Sequence, residues 1–321
     1  LELPGLLAHH PLGFLAACGL LRSLTEWRDF GWTKLSWRDA GGGAGRFAVI
    51  DSERVLDIDG VRQVLLCRSK QQRESPALRW STRIDDRTKY RETARNAIRG
   101  LAERRPRDDL DVLSALASDL VHVAGKLRST AFDLTSGNQR ILQSIRLLAG
   151  EPETAKGKPD PLTRDAIEEA LIGPWKYRDG DHSLGWDPNA QRLHALRGKL
   201  PEKDKENRSV RAAVFLASQA LPLFPCFSVR RRLRTTGFHE FDDDDWFAWP
   251  VWSDPISPDT LRSLLAQPLS SDLRERGVDV VYRCRRSHTG GSEGNYQVLS
   301  HPEEWPWPPH GPRQPSRGRH D

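Results

Sequence analysis

The stretch "HHPLGFLAACGLLRSL", residues 9 to 24, constrains the fold more than any other part of the chain. Pro11 suits the first turn of a helix, where its missing N–H leaves no hydrogen bond unmade. Beyond it, Leu12, Leu15, Ala16 and Gly19 share one helical face, while Phe14, Ala17, Cys18 and Leu21 share the other. A helix apolar on both faces belongs between layers of its own protein. Neither export nor membrane insertion fits the run. No Lys or Arg precedes it, as the n-region of a secretory signal requires. The apolar part, Pro11 to Leu21, is also shorter than the roughly 20 residues that cross a bilayer. The expectation is a soluble, cytoplasmic protein built on an early core helix. Cys18, Cys67, Cys226 and Cys284 stand far apart with no CxxC spacing, which predicts reduced structural thiols and no zinc site.

Charge is unevenly spread. The formal net charge is +5, yet Arg62 to Arg107 holds 14 Lys/Arg against 5 Asp/Glu, and Arg192 to Arg211 holds 7 against 3. Shorter clusters follow at Arg230 to Arg234 and Arg283 to Arg286. Arginine far outnumbers lysine, which favours bidentate contact with phosphates and bases over simple solubility. Such patches are the electrostatic footprint of a nucleic-acid partner, weighed against arginine merely decorating solvated helices.

Pattern and punctuation predict an α+β fold, mainly helical, with short antiparallel strands and a C-terminal hairpin. "WTKLSW" and "RFAVI" read as strands around the glycine-rich turn "RDAGGGAG". Ser52 is a candidate cap for a helix carrying Val61, Val64 and Leu65. Asp85 or Asp86 opens a charged helix ending before Pro106, and Asp108 or Asp109 opens an amphipathic helix reaching Val121. A helix from Thr163 to Leu171 and another from Ser209 to Leu221 follow. The linker-like "GEPETAKGKPDP" suggests domains over 1–150 and 151–305, and the Pro- and Arg-rich residues 306–321 read as a disordered tail.

Four places carry candidate chemistry. In "FDLTSGNQRILQSIRLL", Thr135 and Ser136 are natural N-caps, and Ser136, Gly137, Asn138 and Arg140 would bind an anion at a helix start. In "RSHTGGSEGNY", Arg285, Arg286, His288, Gly290 and Gly291 form a basic hairpin tip suited to probing a duplex groove. The spacing there fits neither a dinucleotide fingerprint nor a phosphate loop. Along the nucleic-acid backbone, Arg83, Arg87, Lys89, Arg91 and Arg95 would join Arg230, Arg231 and Arg232. The run Asp242 to Asp245 near His239 raises a metal-dependent nuclease, although adjacent carboxylates do not all face one way and a solvated acidic loop is the simpler reading. Lastly, His9 and His10 precede the core helix, where histidines are more often structural than catalytic.

Three blocks resemble one family in order. "HHPLGFLAACGLLRSL" resembles the N-terminal "NPLGFLAALGLLR"-type segment of subtype I-G (formerly I-U) CRISPR-associated proteins, with His9-His10 where those have a Thr-Asn pair. "TAFDLTSGNQRILQSIRLLA" and "WFAWPVWSDPISPDTLRSLLA" resemble their middle and later segments. None of the three blocks is a catalytic signature. The resemblance implies a large-subunit-like or helicase-nuclease-associated component of a type I effector. Its implied partners are guide RNA, target DNA and other effector subunits, with no cofactor and no activity of its own. Two alternatives stay open beside it: the metal-dependent nuclease, and a protein-only adaptor docking through Trp246, Trp249 and Trp252.

Overall fold

The computed structural model describes residues 1–43, 45–80, 84–103, 107–135, 140–152, 157–180, 183–189, 208–241, 244–270, 272–291 and 294–306. The fold is α+β. Its helices are α1 (Pro11–Thr25), α2 (Ile58–Glu74), α3 (Arg87–Ala102), α4 (Asp108–Leu116), α5 (Ile141–Leu148), α6 (Arg164–Ile172), α7 (Arg211–Ala220), α8 (Pro258–Leu265) and α9 (Asp272–Glu275). Strands β1 (Glu2–Leu7), β2 (Thr33–Asp39) and β3 (Arg46–Ser52) form an antiparallel sheet in the order β1-β3-β2. Three two-stranded ribbons follow: β4 (His122–Val123) with β5 (Lys126–Leu127), β6 (Asp179–Gly180) with β7 (Arg208–Ser209), and β8 (Cys226–Val229) with β9 (Arg232–Thr235). The second large sheet runs β10 (Phe238–Phe241), β11 (Asp244–Trp252), β12 (Val278–Gly291), β13 (Gly294–Leu299), with β14 (Glu303–Glu304) on β12.

Helix α1 is the axis of the core, and every residue from Pro11 to Leu24 is buried. It crosses α7 so tightly that a Cβ on Gly19 would sit 1.8 Å from the Leu216 carbonyl oxygen. On its other side Phe14 stacks between Trp37 of β2 and Trp249 of β11, with ring centroids 5.9 and 5.8 Å away. Two indole donors tie the sheets together: Trp249 Nε1 donates to the Ala8 carbonyl at 2.8 Å, and Trp252 Nε1 to Leu35 at 2.9 Å.

The division expected at residue 150 does not separate two cores. One contiguous apolar cluster takes α1, β2 and β3 from one side of that point and α6, α7 and β11 from the other. The reason is the α1–α7 contact, which pairs the two most completely buried helices across the linker. The tail residues 307–321 lie outside the described residues.

Local signals set most helix starts. Asp86 Oδ1 accepts the Lys89 N–H at 3.0 Å, and Thr163 Oγ1 accepts that of Ala166 at 3.2 Å. Ser52 does not cap α2; it ends β3, and Asp57 Oδ1 accepts the Gly60 N–H at 2.7 Å instead. Helix α4 stops at Leu116 rather than Val121, because Ala117 turns to extended backbone and the Leu116 carbonyl accepts from Thr130.

An ion cluster joins α1, α2 and α4. Arg22 and Arg68, each with a side chain only 7% exposed, share Asp108 and Glu26. Burial pushes the Asp108 carboxyl up, but the two guanidiniums outweigh it and hold the group below its ordinary range. All four cysteines are free, and burial drives the Cys18 thiol far above its ordinary range. No helix among the described residues is long and apolar enough to cross a membrane.

Candidate nucleic-acid interface

Helix α3 barely joins the core. Of its sixteen residues only Tyr90 and Gly100 are buried. Tyr90 anchors it, its hydroxyl donating to the Leu113 and Ala117 carbonyls at 3.3 and 3.1 Å. Arg87, Arg91, Arg95 and Arg99 follow one another at four-residue spacing, in a row that starts beside Tyr90 at half-buried Arg87 and turns to the opposite, exposed face by Arg99. Arg87 Nε donates to the Asp119 carbonyl at 2.9 Å and Arg91 Nε to Asp119 Oδ2 at 2.7 Å, which fixes the start of the row. Lys89 lies over the Trp80 ring, 4.7 Å from its centroid. Arg95 and Arg99 are exposed, and neither forms an ion pair with a carboxylate among the described residues. Arg83 lies outside the described residues.

The β8–β9 ribbon meets the same end of α4. Cys226 Sγ donates to the Ala115 carbonyl at 3.3 Å, and Cys226 adjoins Tyr90, whose phenol is pushed up to about 12 by burial first and by this neighbour second. At the ribbon's tip Arg230 and Arg231 have φ of 48° and 64°, a two-residue turn in the left-handed region. That turn ordinarily takes Asn-Gly, and a non-glycine residue there costs roughly 1–2 kcal/mol. Arg230, Arg231 and Arg232 are all exposed. Two arginine groups more than a hundred residues apart in the chain therefore flank the residues 113–117 that both rest on.

The C-terminal hairpin is arranged differently. Arg285 and Arg286 lie within strand β12, not at its tip, because pairing continues from Arg286↔Leu299 to Gly291↔Gly294. Arg285 bridges to Asp244 at 3.2 Å. Arg286 is half-buried, donates to Gln297 Oε1 at 2.9 Å, and has Asp245 3.9 Å away; burial lowers its pKa. Arg286 is thus part of the fold and not a free tip. Gly290 and Gly291 hold the strand pairing opposite Asn295 and Gly294, and the side chain of His288 lies outside the described residues.

The helix after residue 136 starts later than its capping residues suggested. Helix α5 begins at Ile141 with Arg140 at its cap position, and that side chain makes no capping bond. The Thr135 hydroxyl donates instead to Asp133 Oδ1 at 2.6 Å. Ser136, Gly137 and Asn138 lie outside the described residues.

The other readings fare unequally. Asp244 and Asp245 are engaged by the β12 arginines, while Asp242 and Asp243 lie outside the described residues. Among the described residues no group of three His, Cys, Asp or Glu is placed to hold a metal. Trp249 and Trp252 are core residues, 0% and 2% exposed, so the tryptophan surface of an adaptor does not exist there. Trp246 is covered by Arg283, whose guanidinium lies 4.2 Å from the ring centroid.

His10 lies beside a cavity of about 430 Å³ lined in part by Leu7, Ile172, Trp175, Tyr177 and Asn189. Its Nδ1 accepts the Gly13 N–H at 3.4 Å, capping α1, and its Nε2 lies 3.3 Å from Asp187 Oδ1. Asp187, fully buried, also accepts the Asn189 N–H at 2.8 Å. The Gly13 N–H and Asp187 together orient the imidazole. It joins the start of α1 to residues 175–189.

Sequence reasoning missed Arg99, whose four-residue spacing from Arg95 was readable, and Phe227 and Val229 of β8. No family model matches the sequence, and no curated protein matches it.

Proposed function

We propose that this chain is a non-catalytic subunit of a type I CRISPR antiviral effector that holds nucleic acid along α3 and the β8–β9 ribbon. The observation that carries the reading is that the helix bearing the arginine row and the arginine-tipped ribbon are both anchored on residues 113–117, through Tyr90 and Cys226. Arg95 and Arg99 of the row and Arg230 to Arg232 of the ribbon, with no carboxylate bridge among the described residues, suit a polyanion, since each phosphate contact releases counterions. The ordered resemblance of three blocks to subtype I-G proteins supplies the system: guide RNA and target DNA as ligands, other effector subunits or the helicase-nuclease as protein partners, and the cytoplasm as the place. Base pairing would read sequence there, while the protein grips backbone.

The test is binding of the full chain to labelled RNA and DNA oligonucleotides at several salt concentrations. Arg91→Ala with Arg95→Ala should weaken binding to every sequence alike and lower the salt slope by about one unit per lost duplex contact. Binding and salt slope equal to the parent's would make the arginines solvated surface only and refute the reading.

A further inference from the structure

Six of the ten large apolar side chains exposed among the described residues fall on α3, residues 120–123 and β8: Ile98, Leu101, Leu120, Val123, Phe227 and Val229. Of these, Phe227 and Val229 stand together on one ribbon, and exposed apolar groups placed together mark an interaction site more than scattered ones do. The β8–β9 register sorts this surface. Phe227 pairs with Arg234 and Val229 with Arg232, and directly opposed residues share one face of a ribbon. Their neighbours Cys226, Ser228, Leu233 and Thr235 take the other, more buried face. The outer face therefore presents Phe227, 47% exposed, and Val229, 42% exposed, opposite two arginines, and it ends at the strained Arg230-Arg231 turn. Backbone strain of this kind concentrates where a side chain must be held in place.

We propose that this outer face is a platform for unpaired bases of a single nucleic-acid strand, with Phe227 stacking on a base and Arg230, Arg231 and Arg232 holding the adjoining phosphates. The inference rests on the nucleic-acid reading above and narrows it to one class of ligand. A duplex offers this surface only phosphate and sugar, against which Phe227 and Val229 would be desolvated beside charge without gain. An unpaired base brings a π-face, and the charge of the tip selects the anionic backbone that carries it. Arg234 is bridged to Glu240, which leaves the tip as the cationic end.

The experiment measures anisotropy of a labelled oligothymidine and of a blunt duplex of equal length with the full chain, its fold checked by circular dichroism. Phe227→Ala should weaken single-strand binding 5- to 150-fold, the range that one stacked base supplies, with the salt slope and duplex binding unchanged. Phe227→Trp should restore it. Arg230→Ala with Arg231→Ala should weaken binding and lower the salt slope by about 0.7 per lost single-strand contact. If Phe227→Ala binds both ligands as the parent does while the arginine variant fails, the nucleic-acid reading survives and the platform is wrong. If Phe227→Ala loses another effector subunit but no nucleic acid, the face is a protein contact and the platform is equally wrong. A parent that binds neither ligand overturns both readings.

Discussion

Replacing Gly19 by alanine opposes two effects of known sign. Helix propensity alone favours the change by about 1 kcal/mol, since glycine is the poorest ordinary residue inside a helix. Packing opposes it. The new Cβ would lie 1.8 Å from the Leu216 carbonyl oxygen, 2.8 Å from its carbonyl carbon and 3.0 Å from the Ala220 nitrogen, all backbone atoms of α7. No rotamer change relieves a clash with backbone. Relaxing the contact to ~3.5 Å moves the helices apart by ~1.7 Å, and a gap of half that size already forfeits a quarter to a half of each contact at the crossing. Overpacking ordinarily costs about 1–3 kcal/mol, and the rigid partner places this site at about 3. The net is a destabilisation of about 2 kcal/mol. Urea denaturation should show a lower midpoint with an unchanged slope, and scanning calorimetry a melting temperature lower by roughly 3 °C. Gly60→Ala is the control, because its nearest atoms are side-chain atoms, the Phe30 ring at 3.0 Å, which can yield, and Asp57 Oδ1 at 3.2 Å, which already rests against this residue as its cap. That variant should change stability by less than about 1 kcal/mol. A G19A protein as stable as its parent would refute the α1–α7 packing.

Asp108→Ala strips Arg22 and Arg68 of a shared partner. With Asp108 28% exposed and Glu26 still present, the loss should be about 2–3 kcal/mol by denaturation, below the value for full burial; no change would mean that the cluster does not hold α4. Burial lowers the pKa of His239, and burial followed by His10 lowers that of His9, both from 6.5. The unfolded chain then takes up these protons first as pH falls below about 6.5, so stability should drop from there through the lower folded values. His239→Gln should shrink the fall in melting temperature between pH 7 and pH 5, and an unaltered fall would contradict the burial of that imidazole. Neutralising Asp244 and Asp245 to Asn should strengthen nucleic-acid binding by freeing Arg285, whereas weaker binding would show that the carboxylates serve the interface. A thiol titration of freshly purified, denatured protein should count four free cysteines, and fewer would disprove the reduced state.

Local interactions left clear marks in the chain. The all-round apolar pattern of 11–24 dictates a buried helix whatever surrounds it, and the caps at Asp86 and Thr163 act within four residues of themselves. The glycine-rich turn between β2 and β3 is equally local. Where two local signals compete, the chain alone does not rank them: Ser52 and Asp57 both suit a cap, and pairing of Ser52 with Thr33 at the end of β3 hands the role to Asp57.

Long-range pairing decided the rest. Arg22 reads as the polar end of a helix, yet Arg68 and Asp108 arrive from α2 and α4 to bury it. Trp249 and Trp252, three residues apart, should face opposite ways in a regular strand; the register shift between Val251 and Trp252 resets the alternation and turns both rings onto Phe14. The arginines show the same division. Their abundance and the four-residue row on α3 are properties of the sequence. Whether each is left free or is bridged depends on which carboxylate the fold carries to it: Asp244 reaches Arg285 across a strand pair, and no described carboxylate bridges Arg95 or Arg231. Charge is written along the chain, but its neutralisation acts through space over a few ångströms, and only tertiary structure sets those distances.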